Sequence, residues 1–199
     1  MIPVRSEAIV KFSVSILVIF GLATPALADW ATLRQVYESP TQPSDDTIGA
    51  AITALNTHME ALEGVDMSGE TEDLRDFQVI AYRALSDQAT ALQHYGEVLS
   101  LRHAFEAQVK DYQDQLNEMH TSGYQRCEAQ DGTNAPDTYC KMKVDQETDG
   151  FADLFHSWFN ENAPGVEAQS RSVAEEMQQA RAQMEAVSQD YQRLIAQYP

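Results

Sequence analysis

Residues 74–119 read LRDFQVIAYRALSDQATALQHYGEVLSLRHAFEAQVKDYQDQLNEM, a stretch without proline and with a single glycine, Gly96. Stepping by three and four from Leu74 meets Phe77, Ala81, Ala84, Ala91, Tyr95, Val98, Phe105, Val109, Tyr112, Leu116 and Met119, with Gln88 and Arg102 as the only polar interruptions. Such spacing puts one apolar stripe along a helix, because side chains three and four apart share a face. The stretch therefore predicts a helix over about 70–120, with Gly96 as its one weak point. A stripe of that length demands partner helices, since alone it would leave its apolar face in water.

The flanking sequence supplies those partners. Ile48, Ile52, Leu55, Met59 and Leu62 repeat the same steps, with Ser44 as a candidate cap, acidic Asp45 and Asp46 at the positive end of the helix dipole, and Gly64 as a stop. Trp30–Glu38 is compatible with a short helix ended by the Pro40–Pro43 linker. Phe151, Leu154, Phe155, Trp158 and Phe159 fall within roughly 140° of a helix at ~100° per residue. After Pro164 and Gly165, read as a break, Val166, Val173, Met177, Met184, Val187, Tyr191 and Leu194 form a last stripe. The expected helices are about 45–63, 70–120, 144–160 and 166–197, joined by short connections that make neighbours antiparallel. The fold class is all-α, an elongated antiparallel helical bundle with coiled-coil-like packing. No segment shows the period-two alternation of strands between hairpin turns, and no internal repeat points to a solenoid.

The first 28 residues follow a different logic. Arg5 and Lys11 precede an apolar run, Val14–Leu22, interrupted only by Ser15 and Gly21, and then come Pro25 and the small pair Ala26 and Ala28. This is the layout of a cleavable export signal, with cleavage expected between Ala28 and Asp29. The run is short for a membrane span, which takes about 20 residues. The reading implies a mature domain over 29–199, periplasmic or secreted, with no membrane span after cleavage.

A formal charge of −18 sets limits on partners. Phosphate backbones and anionic lipid would be repelled, so nucleic acid is not an expected partner, whereas a basic protein is admitted. The only cysteines are Cys127 and Cys140. In an oxidising compartment an isolated pair reads as one disulfide, here stapling a glycine- and proline-containing connection over 121–143. Around that staple Arg126, Lys141 and Lys143 form a local basic patch, the first candidate for contact with something acidic; local charge balance is the plainer account. The aromatic cluster at Phe155 and Trp158 is the second candidate, with core packing as its rival reading.

Chemistry finds little support. Asp145, Glu147, Asp149 and Gly150 match the first half of an EF-hand loop, but the twelfth position is His156 where a bidentate glutamate belongs. His58, His94, His103, His120 and His156 contain no pair at the three- or four-residue spacing of a helical metal site. There is no G-x-S-x-G elbow, no P-loop and no dinucleotide glycine fingerprint. No cofactor or catalytic residue is expected. The leading expectation is an exported, non-enzymatic interaction module of the cell envelope, of adaptor, chaperone or inhibitor type, whose partner is another envelope protein. Its helix faces would equally admit a homo-oligomer. The alternative is a bundle holding a metal or small ligand between its helices.

Overall fold

The computed structural model describes residues 28–131 and 137–199, which form four α-helices: α1 Ala28–Glu38, α2 Ile48–Glu63, α3 Glu72–Asp131 and α4 Asp137–Gln197. Among the described residues there is no strand. α3 and α4 are 60 and 61 residues long, each about 90 Å at ~1.5 Å per residue. They lie antiparallel: Phe77 near the start of α3 meets Tyr191 near the end of α4, while Cys127 and Cys140 meet at the opposite end. The fold is thus an all-α bundle with one disulfide. Residues 1–27 of the expected export signal lie outside the described residues, and the expected cleavage bond, between Ala28 and Asp29, falls at the start of α1.

The core sits at one end of this hairpin, which we term the base. Trp30 and Leu33 of α1, Leu62 of α2, Leu74 and Phe77 of α3, and Leu194 of α4 are almost wholly buried there. Trp30 meets Phe77 edge-on, with ring centroids 6.0 Å apart and planes at 87°, the offset geometry that the ring quadrupole favours. The indole N–H donates to the carbonyl of Tyr198 at 3.0 Å, so the burial of the ring leaves no donor unmet. At the helix start the amide of Trp30 donates to Glu70 Oε1 at 3.1 Å, setting a carboxylate at the positive end of α1.

Local chemistry explains where α2 begins and ends. Its cap is Thr47 rather than Ser44: the Thr47 hydroxyl accepts from the amide of Ala50 at 3.2 Å. Asp45 is spent on the turn before it, accepting from the Thr47 amide at 2.9 Å, and this local bonding displaces the helix start to Ile48. Gly64 ends α2 as expected, its N–H donating to the Glu60 carbonyl at 3.0 Å. The Gln78 side chain then donates to the carbonyls of Leu62 and Val65 at 2.6 and 2.8 Å. These bonds tie the end of α2 onto α3. α3 runs unbroken through Gly96, against which Ile48 from α2 packs; a Cβ there would make ordinary contact, 3.7 Å from Ile48 Cγ2.

Two expected boundaries are corrected. The break at Pro164 and Gly165 does not occur, and the separate helices over 144–160 and 166–197 are one, α4. Proline removes one N–H and crowds the carbonyl four residues back, but Pro164 is exposed while Ala163 and Val166 on either side are half-buried. The side chain of Asn162 donates to the Trp158 carbonyl at 2.7 Å, adding a bond beside the interruption. The stapled connection over 121–143 is likewise mostly helix, because α3 continues to Asp131 and α4 starts at Asp137. Gly123, one of the glycines of that expected connection, lies within α3: a Cβ there would lie 3.2 Å from Val144 Cγ2, so the glycine permits close approach of the two arms.

Candidate interaction site

Ile48, at the start of α2, reaches α3 at Gly96. Burial changes at the same level of the hairpin. Between Leu99 and Arg126 on α3, and between Asp149 and Ser172 on α4, no described residue is fully buried. At the far end Cys127, Cys140, Val144 and Thr148 are buried again. Between them lies a two-helix span of roughly 40 Å, counted at ~1.5 Å per residue.

That span is filled by rings. Phe105 stacks on Trp158 with centroids 5.2 Å apart and planes at 19°, and also meets Phe159 at 5.5 Å. Tyr112 sits among Phe151, Phe155 and Trp158 at 5.6, 5.3 and 5.3 Å. All six rings are half-buried. They pack across the seam at distances worth about 0.5–1.5 kcal/mol per pair beyond area burial, yet two helices cannot wrap them. Phe155 and Trp158 therefore pack against α3 on one side and are open to solvent on the other. Leu154 was counted with this apolar arc, but it is 67% exposed. Spacing alone did not separate it from the arc, because it lies three residues after Phe151 and four before Trp158.

The basic candidates lie elsewhere. Lys143 and Trp158 are about 22 Å apart along the same helix, so the patch and the rings are two places. Arg126 folds back on its own helix, donating to the carbonyl and hydroxyl of Ser122 at 3.3 and 3.2 Å. Lys141 lines an open hollow of about 300 Å3 with His120, Thr121, Tyr124, Gln125, Val144 and Asp145. Lys143 is exposed on α4. The disulfide joins helix to helix, with Cys127 and Cys140 Cα atoms 5.5 Å apart.

Across the arms run two histidine–carboxylate pairs. His94 Nδ1 lies 2.6 Å from Glu176 Oε2, and the hydrogen bond and charge of Glu176 raise the His94 pKa. His120 Nε2 lies 3.7 Å from Asp145 Oδ1. His58 is buried in α2, and desolvation lowers its pKa. The half-motif Asp145, Glu147 and Asp149 lies within continuous helix, whereas an EF-hand needs those ligands on a loop. Among the described residues there is no group of three or more His, Cys, Asp or Glu placed to hold a metal ion. Nor is any described helix long and apolar enough to cross a membrane. Set against protein-family models, curated proteins and solved structures, the chain matches none.

Proposed function

We propose that this chain is an exported, non-enzymatic interaction protein of the cell envelope, and that it meets its partner along the α3–α4 hairpin beyond the base. The observation that carries the reading is the row of six half-buried rings on a span supported by two helices only. A surface of this kind gains by receiving another helix, since fully desolvated aromatic anchors contribute most of the energy at protein interfaces. The base anchors the hairpin and the disulfide closes its far end, so the contact face is held on rigid elements. Export rests on the charged, apolar and small-residue layout before Asp29.

The test is site-specific photocrosslinking in the native host, with a photoreactive residue at position 154 or 158 and, as control, at Val79 on the base, which is 55% exposed. A discrete crosslinked envelope protein from 154 and 158, absent from 79, is the expected result. Equal background from all three positions would count against the reading. Fractionation and N-terminal sequencing check export separately, with Asp29 expected as the first residue.

A further inference from the structure

We propose that the flank of the hairpin carrying Leu154 receives one helix of a partner protein, and that this helix is amphipathic and basic. The inference rests on the interaction reading above and specifies the chemistry of the partner. Among the described residues Leu154 is the most exposed of the large hydrophobics, at 67%. It adjoins the half-exposed edge of Trp158, and Gly150 on the same flank has open space where a side chain would be. An apolar knob one turn from a residue without a side chain leaves room for a second helix to approach, at ~8–10 Å between axes.

Charge decides what kind of helix fits. Glu147 and Glu161 stand seven residues to either side of Leu154 and are exposed, so at ~100° per residue all three share one flank, about 10 Å apart along the axis. Asp111 precedes Tyr112 as Leu154 precedes Phe155, and the Tyr112 and Phe155 rings are in contact. In an antiparallel pair this puts Asp111 on the same side of the seam as Leu154, with Glu118 one heptad further along. The groove is therefore an apolar centre framed by four carboxylates. A second copy of the chain would bring like charges together, and nucleic acid or an anionic membrane would be repelled for the same reason. A helix with an apolar residue at its centre and lysine or arginine one heptad to each side meets every feature. Exposed rim pairs then govern encounter rate and salt sensitivity, while the apolar knob governs residence time.

The probe is a labelled 21-residue synthetic helix of alanine background, with central leucines and lysines seven residues to either side, titrated onto the chain beginning at Asp29 and followed by anisotropy. Binding that weakens with salt is expected. Leu154→Gln, which keeps the charge and sits at an exposed position, should weaken it about tenfold, consistent with the loss of one apolar anchor. Glu147→Gln combined with Glu161→Gln should weaken it several-fold and flatten the salt dependence. The same peptide with glutamates in place of lysines should not bind. Unchanged affinity for Leu154→Gln would reduce the effect to nonspecific charge attraction and overturn the proposal, as would equal binding of the acidic peptide. Crosslinks from position 154 to a partner lacking a basic helix would overturn this inference while leaving the interaction reading intact; absence of any crosslink would remove both.

Discussion

A hydrogen atom at Gly123 decides how near the two arms approach, because a Cβ would press on Val144 Cγ2 at 3.2 Å. Val144 is buried and β-branched, with one preferred helical rotamer, so it has little room to yield. Gly150 and Gly165 have nothing within 4 Å of the corresponding position. Replacing either by alanine should stabilise α4 by up to about 1 kcal/mol through helix propensity. Gly123→Ala should fail to deliver that gain or should destabilise, and adding Val144→Ala should relieve the clash; denaturant midpoints of the four chains would measure this. Two histidines set opposing pH trends. The raised pKa of His94 means that its pairing with Glu176 stabilises fully below the unfolded value of about 6.5, and the contribution is lost as pH rises through the higher folded value. The lowered pKa of His58 works the other way: its contribution is present above about 6.5 and is lost as pH falls through the lower folded value. His94→Gln should therefore remove a loss of thermal stability on the alkaline side, and His58→Gln a loss on the acidic side, in scans over about pH 5 to 8.

For the elements, the apolar steps made α2, α3 and the two halves of α4 legible, though not that these halves are one helix, and the glycine after α2 gave its end correctly. What periodicity could not supply was the tertiary company each punctuating residue keeps. Pro164 carries a strong breaking signal in isolation, but its neighbours Ala163 and Val166 are half-buried within one continuous α4, and burial along its length outweighs one missing hydrogen bond. Gly123 carried a turn signal in sequence, although it packs against Val144 within helix. At the site, Phe155 and Trp158 were visible as aromatics, whereas the exposure of Leu154 follows only once α3 is known to cover one side of the seam. Substituting Pro164→Ala should raise stability, by less than the roughly 3 kcal/mol that proline costs in an ideal helix interior, because α4 already accommodates it at an exposed position. A midpoint that falls would mean that the proline shapes the seam beside Trp158. At the other end of the scale Thr47→Ala should cost about 1 kcal/mol and fray α2 at Ile48.

As a whole the molecule is held at its two ends and is least buried in the middle. The base gathers residues from all four helices, and Leu33→Ala there should cost about 2–5 kcal/mol, as for other fully buried leucines. The far end depends on Cys127–Cys140, which are 13 residues apart in sequence; closing a loop of that size stabilises by about 3 kcal/mol in the chain-entropy view. Between them the rings hold the arms together by a single row of contacts. Opening should therefore be graded along the hairpin rather than uniform, with local free energies set by distance from the base. In hydrogen exchange, the double substitution Cys127→Ser and Cys140→Ser should release protection around Met119 and Val144 first. Amides near Phe77 and Tyr191 should keep theirs, since Trp30, Leu33 and Leu62 still cover them. Leu33→Ala should lower protection at the base and leave that at the disulfide largely unchanged. If either substitution instead lowered protection equally from end to end, the two arms would unfold as one cooperative unit, and the ring row would be a stronger link than its half-exposed packing implies.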